Sequence, residues 1–159
     1  MAKARTKPKG YRSITPNLVF RDAGRAIDYY KKVFGAKETV RMPGPGGKVL
    51  HAELKIGDSL IFVNDLMREV PAGAAEEAAY SPFSLHLYVR NADKVFERAV
   101  AEGAHVKMPL QDMFWGDRYG QITDPFGQQW SIATHVEDVT PEEMSRRQQE
   151  AFSKAASQG

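Results

Sequence analysis

The sequence predicts an α+β protein built from two βαβββ modules followed by a C-terminal helix. Three observations support this prediction: an order of strands and a helix that occurs twice, short motifs that recur at nearly the same spacing, and a capped helical segment near the end of the chain. The chain has 159 residues, of which 42% are hydrophobic and 26% charged. This length and composition are typical of a globular protein that buries a core.

The first module is predicted over residues 13–64. An alternating apolar segment typical of a half-buried strand is followed by Asp22, a common N-cap, and by a helical pattern that ends at Gly35. Three more strands are predicted, the last two joined by a tight turn at Gly57. Residues 65–81 contain Pro, Gly and an Ala/Glu run, and we expect them to link the two modules.

The second module is predicted over residues 82–136, in the same order of elements. The residue matches that indicate an internal repeat are Arg21-Asp22-Ala23 with Arg90-Asn91-Ala92, Gly35-Ala36 with Gly103-Ala104, and Gly57 with Gly127. One sheet with one helix buries a single sheet face, so each module needs a partner for its other face. The two modules are therefore expected to form one domain over residues 13–136.

Both ends of the chain are predicted to lie outside this domain. Residues 1–12 are rich in Lys and Arg and contain Pro and Gly, and we expect them to form a flexible basic tail. Residues 137–159 contain the motif Thr140-Pro141-Glu142-Glu143, which supplies an N-cap, a Pro at the first helical position and a capping-box Glu. The predicted C-terminal helix is expected to pack on the protein or to form a dimer contact.

The composition excludes several classes of function. Because the chain has no Cys, disulfide scaffolds, zinc–cysteine sites and cysteine nucleophiles are excluded. No apolar run is long enough for a membrane span, and the N-terminus lacks the apolar stretch of a signal peptide, so we expect a cytoplasmic protein without a membrane partner. The basic tail lacks the folded, aromatic-bearing face of a nucleic-acid site, and no nucleic-acid partner is predicted.

Side-chain alternation predicts which face of each sheet is turned away from its helix. In the second module an apolar Leu, Leu, Val stripe suits the helix side and leaves Ser84, His86 and Tyr88 on the opposite face. The repeat places Thr15 and Asn17 on the corresponding face of the first module. Small polar side chains on such a face favour a ligand cavity over a packed core.

Two further groups of residues have chemistry suited to a site. His51 and Glu53 lie two apart on a predicted strand, where a carboxylate can orient an imidazole for proton transfer or weak metal binding; the alternative is a cross-strand ion pair at the surface. His86 is either a polar wall residue or a catalytic one, and a metal site made from His51, Glu53 and His86 is a further alternative.

The segment from Phe114 to Tyr119 combines large planar side chains with an arginine. Trp115 can stack on a ring while Arg118 clamps an anion, which favours an aromatic or anionic small molecule. The alternative is a structural bulge in which Arg118 forms a salt bridge with Asp117 or Asp124.

Several motifs, together with the repeated modules, are shared with a known family. They are the helix of residues 25–36, Asp124-Pro125-Phe126-Gly127-Gln128-Gln129-Trp130, His51-Ala52-Glu53-Leu54, Ile56-Gly57-Asp58-Ser59 and Trp115-Gly116-Asp117-Arg118-Tyr119-Gly120. Over roughly residues 12–136 the chain resembles the vicinal oxygen chelate superfamily, which includes glyoxalase I, bleomycin-resistance proteins and extradiol dioxygenases. The last three motifs are most similar to its PhnB-like branch.

The resemblance implies a glyoxalase/bleomycin-resistance-type fold with a funnel-shaped cleft that is often completed in a homodimer. In the enzymes of the family, four His, Glu or Gln side chains bind a divalent metal, and their positions correspond here to Thr15, Ile61, Ser84 and Ser131. Hydroxyl groups bind divalent cations weakly and an alkyl group does not bind them. If the register shifts by one, Ile61 becomes Phe62 and the conclusion is the same. No metal site and no cofactor are predicted, and a divalent metal would need nonstandard ligands.

The sequence therefore predicts a homodimeric, metal-independent protein that binds a small organic molecule in a cleft. The expected ligand-binding residues are Thr15, Asn17, His51, Glu53, Ser84, His86, Trp115 and Arg118, with His51 and Glu53 as catalytic candidates. The alternative is a lyase, isomerase or dioxygenase of the same superfamily that depends on a metal or on His51 and Glu53. Whether a reaction is catalysed is left open, and a scaffold role for the C-terminal helix is a third possibility.

Overall fold

A computed structural model describes residues 8–67 and 83–158 of the chain, and it confirms the α+β prediction. The chain divides into two compact units, Met1–Ala75 and Glu76–Gly159. Each unit contains a four-stranded sheet and a helix that packs on it, and the second unit also contains the C-terminal helix. Most of the predicted linker, residues 68–81, lies outside the described residues.

The first unit follows the predicted βαβββ order. Its elements are β1 (Asn17–Phe20), α1 (Ala23–Phe34), β2 (Lys37–Pro43), β3 (Val49–Ile56) and β4 (Ser59–Asp65), with a short 3-10 turn at Pro45–Gly47 between β2 and β3. The strands lie in the order β1-β4-β3-β2. The pair β1 and β4 is parallel, whereas the other two pairs are antiparallel.

Local signals in the sequence account for the position of α1. The Asp22 side chain accepts a hydrogen bond from the backbone N–H of Arg25, as an N-cap does, and Gly35 ends the helix at φ 66°, where a side chain would be unfavourable. The buried Asp65 on β4 accepts the backbone N–H groups of Ala23 at 2.8 Å and Val49 at 2.6 Å. This carboxylate therefore ties the first turn of α1 to the sheet.

The second unit repeats this topology and adds α3. Its elements are β5 (Leu85–Tyr88), α2 (Ala92–Ala101), β6 (His105–Asp112), β7 (Asp117–Thr123), β8 (Gln129–His135) and α3 (Pro141–Ser157). The strand order β5-β8-β7-β6 is that of the first sheet, which confirms the internal repeat. Thr140 caps α3 through a bond from the backbone N–H of Glu143, and Arg147 on α3 donates to Glu137 and to the Phe114 carbonyl.

Each helix lies on one face of its sheet, and we call the opposite face the distal face. Buried and less buried residues alternate along the strands. This alternation places Leu54 and Val63 on the helix side of the first sheet, and Ile122 and Ile132 on the helix side of the second. The side chains on the distal faces include Asn17, His51, Glu53 and Phe62 in the first unit, and His86, Tyr88, Asp117, Tyr119 and Ser131 in the second.

The register of β4 corrects the assignment of Ile61. Ile61 is 5% exposed and pairs with Leu54, so that it lies on the helix side. Phe62 pairs with Asn17 on β1 and Glu53 on β3 and occupies the distal face, at the position that Ser131 occupies in the second unit. The expected register was wrong by one residue because it treated Gly57 and Gly127 as equivalent. Gly57 lies in the two-residue turn between Ile56 and Ser59, whereas Gly127 lies in the five-residue connection between Thr123 and Gln129. None of the helices in the described parts of the chain is long and apolar enough to cross a membrane.

Candidate functional site

His51 and Glu53 form a hydrogen-bonded group with Tyr11 on the distal face of the first sheet. The His51 Nε2 atom lies 3.2 Å from Glu53 Oε1, and the Tyr11 hydroxyl donates to Glu53 Oε2. The Phe62 ring contacts both aromatic members, with ring centroids 4.8 Å from His51 and 6.2 Å from Tyr11. A carboxylate held between a phenol and an imidazole can orient the imidazole for proton transfer.

Tyr11 was not identified from the sequence, where it falls in the segment expected to be a flexible tail. Its hydrogen bond to Glu53 raises the pKa of the phenol, because the neutral hydroxyl donates to a negative charge. The His51–Glu53 contact lies within β3 and is therefore not a cross-strand pair. Thr15, before β1, is partly buried, and Asn17 on β1 is exposed and pairs in register with Phe62.

The distal face of the second sheet carries a group of five rings that we call the ring cluster. Its members are His86, Tyr88, Phe114, Trp115 and Tyr119. The His86 ring lies 4.5 Å from Tyr88 and 5.9 Å from Tyr119, centroid to centroid. Trp115 continues the chain of contacts, 5.5 Å from Tyr119 and 5.1 Å from Phe114. These separations are those of favourable aromatic pairs.

The carboxylate of Asp117 lies at the edge of the ring cluster and is 3% exposed. Its Oδ2 atom accepts the Tyr88 hydroxyl at 2.9 Å and Trp115 Nε1 at 3.2 Å, and its Oδ1 atom lies 2.8 Å from His135 Nδ1. Burial alone would raise the pKa of Asp117, but the hydrogen bonds from His135, Tyr88 and Trp115 outweigh it, and the pKa is lowered. The bond to Asp117 in turn raises the pKa of Tyr88.

His135, at the end of β8, bridges two carboxylates. Its Nε2 atom lies 2.8 Å from Oδ1 of the exposed Asp138, while Nδ1 faces Asp117. The pKa of His135 is raised, first by the hydrogen bond to Asp138 and then by the one to Asp117. From the sequence, Asp117 was expected only as a possible salt-bridge partner of Arg118, and His135 was not identified. No periodic signal connects these residues, since they meet only when β7 and β8 pair.

A tight turn holds Trp115 and Asp117 on either side of Gly116. Gly116 has φ 98°, and a Cβ atom there would lie 2.1 Å from the Glu137 carbonyl oxygen. The Gly116 carbonyl accepts the backbone N–H groups of Val136 and Glu137. Only glycine fits this close approach, and the turn thereby fixes the entry of the chain into β7.

Arg118 lies on the helix side of the second sheet and does not join the ring cluster. Its guanidinium forms salt bridges with Asp93 on α2 at 2.9 Å and with Asp112 at 3.4 Å. Successive residues of a strand face opposite sides, so Arg118 is separated from Asp117 and Tyr119. Arg118 therefore forms salt bridges, as the alternative prediction stated, but not with Asp117 or Asp124. The Asp124 carboxylate instead accepts a hydrogen bond from Trp130 Nε1 in the buried core on the helix side.

Ser84 lies at a small pocket in the second unit. His86 does not line this pocket, but its Nδ1 atom lies 2.7 Å from the hydroxyl oxygen of Ser131, which does. The pocket has a volume of about 40 Å³, enough for one or two water molecules. It is lined by Ser84, Lys107, Gln121, Ile122, Gln129, Trp130 and Ser131.

The residues at the superfamily's metal positions do not fit a divalent metal. With the corrected register these positions hold Thr15, Phe62, Ser84 and Ser131, which are three hydroxyls and a hydrocarbon ring. In the two described segments, no three His, Asp or Glu side chains converge as metal ligands. Divalent transition metals in proteins are held by imidazole, carboxylate or thiolate groups, and this set supplies none.

Comparison with known proteins shows the family and the fold of the chain. The family model of the glyoxalase/bleomycin resistance protein/dioxygenase superfamily matches residues 14–132. The chain is 40% identical over 135 residues to the uncharacterized protein Rv0887c of Mycobacterium tuberculosis, covering 83% of this chain and 79% of that protein. The crystal structure of protein PA1353 from Pseudomonas aeruginosa is similar with a TM-score of 0.66 and 26% identity, over 80% of this chain and 100% of the other.

A further solved structure shows the same fold. The PhnB protein from Bacillus cereus shares the fold with a TM-score of 0.64, at 20% identity and over 77% of this chain and 99% of the other. The family model covers most of the chain, from the residues before β1 to the middle of β8. The chain therefore belongs to the glyoxalase/bleomycin resistance protein/dioxygenase superfamily.

Proposed function

We propose that this protein binds a small planar organic molecule on the ring cluster of its second unit, without a metal at the superfamily positions. The observation that carries the proposal is the set of five neighbouring rings at the edge of a buried carboxylate. Tyr88 is 59% exposed although its hydroxyl is bonded to Asp117, so that its ring presents a large apolar surface to solvent. Aromatic rings held in place lose little entropy when a planar ligand stacks on them.

The charges around the ring cluster favour an aromatic ligand over an anionic one. The guanidinium expected to clamp an anion is that of Arg118, which pairs with Asp93 and Asp112 on the helix side. The charged groups next to the ring cluster include Asp117 and, through it, His135. The Arg147 guanidinium also reaches the backbone carbonyl of Phe114, but it is paired with Glu137 and Glu143. From the predicted ligand-binding residues we therefore retain Trp115 and His86 in this site, with Ser84 at the adjoining pocket.

The predicted residues of the first unit are proposed as ligand contacts on the distal face of the first sheet. They are Thr15, Asn17, His51 and Glu53, to which the structure adds Tyr11. Support comes from the hydrogen bonds of Glu53 to His51 and Tyr11, which hold polar groups in fixed orientations on the distal face of the first sheet. Fixed polar groups of this kind give a binding site its specificity.

The proposal is tested by screening the protein against planar aromatic compounds with thermal-shift measurements, followed by calorimetric titration of those that bind. Trp115→Leu is expected to weaken binding roughly 2- to 12-fold, since one aromatic contact contributes about 0.5–1.5 kcal/mol beyond area burial. The matched control is Phe152→Leu, which removes an exposed ring on α3. Equal affinities of the two variants, or a screen without a binding compound, would refute the proposal.

A second candidate function is proton-transfer catalysis of the lyase or isomerase type, with a metal-assisted dioxygenase as its variant. The hydrogen-bonded group of Tyr11, Glu53 and His51 favours it, because the carboxylate orients the imidazole. Turnover of hemithioacetals or catechols that His51→Asn abolishes would support it. Absence of turnover, together with metal analysis that finds no stoichiometric ion in the native protein, would remove it.

A further inference from the structure

Asp117 links the ring cluster to a titratable group that the proposed function does not use. Two of its three hydrogen-bond donors, Tyr88 and Trp115, are neutral members of the ring cluster, and the third is His135. In the described parts of the chain, His135 is the group that can bring a positive charge to this carboxylate. Since Asp117 is buried, its ionised form needs such compensation.

We infer that His135 is a positioning residue: through Asp117 it holds Tyr88 and Trp115 in the arrangement that binds a ligand, and it does so while its imidazole is protonated. The inference rests on the proposed function for its effect on ligand affinity. The arrangement of Trp115 can nevertheless be followed in the protein without a ligand. The positioning role of His135 and the proposed ligand binding can therefore be tested independently.

The hydrogen bonds of His135 indicate the protonated form. The titratable groups that face it are Asp138 in the loop after β8, Asp117 on β7 and, across Asp117, Tyr88 on β5. Both ring nitrogens of His135 lie 2.8 Å from carboxylate oxygens. Only the imidazolium form donates from both nitrogens. The two carboxylates also raise the pKa of His135 above its usual value of 6.5.

Loss of the proton changes the support of the ring cluster. A neutral imidazole keeps one N–H, so one of the two carboxylates then faces a lone pair, and Asp117 loses its cationic partner in either tautomer. A buried carboxylate without compensation draws in water or moves towards it. Tyr88 and Trp115 are bonded to the same oxygen of Asp117 and move with it. The ring cluster is therefore expected to loosen as the pH rises through the raised pKa of His135.

The first measurement uses tryptophan emission of the free protein. The chain has two Trp residues, and Trp130→Phe leaves Trp115 as the reporter. Between about pH 5 and about pH 9 we expect its emission maximum to move to longer wavelength, with a midpoint above the usual histidine value. His135→Gln should abolish this titration, whereas His105→Gln, an exposed histidine on β6, should leave it unchanged.

If Trp130→Phe does not fold, 5-fluorotryptophan in the otherwise unchanged chain gives two fluorine resonances, and Trp115→Phe assigns them. The resonance of Trp115 should then titrate and that of Trp130 should not. A Trp115 signal that is independent of pH, or a titration that persists in His135→Gln, would overturn the inference whether or not a ligand binds.

The second measurement uses N-phenyl-1-naphthylamine, an uncharged planar fluorescent probe whose own charge does not complicate the pH dependence. Its affinity should fall several-fold as the pH rises through the midpoint found for Trp115, and His135→Gln should bind weakly at every pH. If the probe binds with the same affinity across the titration, the inference is wrong. If Trp115 titrates through His135 but neither this probe nor any screened compound binds, the positioning role stands and the proposed function fails.

Discussion

Asp117→Asn tests whether the carboxylate at the edge of the ring cluster supports the second unit. Asparagine has nearly the same shape but supplies one acceptor oxygen where Asp117 uses two. If the amide oxygen keeps the hydrogen bonds from Tyr88 and Trp115, the amide nitrogen faces His135 Nδ1. The charge-assisted hydrogen bond between Asp117 and His135 at 2.8 Å is then lost. A hydrogen bond to a charged group contributes about 1.5–3 kcal/mol, so we expect the free energy of unfolding near neutral pH to fall by about 2–3 kcal/mol.

The assay is urea unfolding followed by circular dichroism, with Asp138→Asn as the matched control. Asp138 is an acceptor for the same imidazole, but it is fully exposed, and its replacement should leave the free energy of unfolding nearly unchanged. The pKa of Asp117 is lower in the folded state than in the unfolded state. Asp117 therefore stabilises the fold fully above the unfolded-state pKa, and this stabilisation is lost as the pH falls through the folded-state pKa. The difference in the free energy of unfolding between Asp117→Asn and the parent protein should therefore become smaller at acidic pH. Equal stability of the two variants at neutral pH would refute this reasoning.

Three further predictions concern the turn before β7, the first distal face and the assembly. Gly116→Ala should lower the free energy of unfolding by roughly 3 kcal/mol or more, because the added Cβ lies 2.1 Å from the Glu137 carbonyl oxygen. The control is Gly46→Ala: Gly46 also has a positive φ, but its added Cβ has nothing within 4 Å, so the free energy of unfolding should fall by only about 1–2 kcal/mol. Glu53→Gln should lower the pKa of Tyr11 towards its ordinary value in ¹³C-tyrosine NMR titrations, and a phenol that titrates as before would show that Tyr11 does not donate to Glu53. Light scattering of the native protein should give twice the mass of one chain, since the family resemblance predicts a homodimer, and the mass of a single chain would contradict this prediction.

The candidate site was only partly predictable, because its members depend on which strands pair and in which register. His51 and Glu53 were found since two residues on one strand share a face by geometry alone. Arg118 was assigned to the wrong surroundings, because its spacing from Trp115 does not show that α2 places Asp93 beside it. Tyr11 was missed for a related reason: a segment without periodicity gives no sign that one of its side chains bonds to a strand.

The sequence by itself determined the two βαβββ modules, their caps and the C-terminal helix, because hydrophobic periodicity and capping act between residues close in the chain. Tertiary structure decided that Phe62 and not Ile61 occupies the distal face, and that Asp117 gathers Tyr88, Trp115 and His135 from three separate segments. A change of one residue in a connection exchanges the two faces of a strand, and a buried charge takes its partners from whatever the sheet brings near. Neither effect leaves a local pattern in the chain.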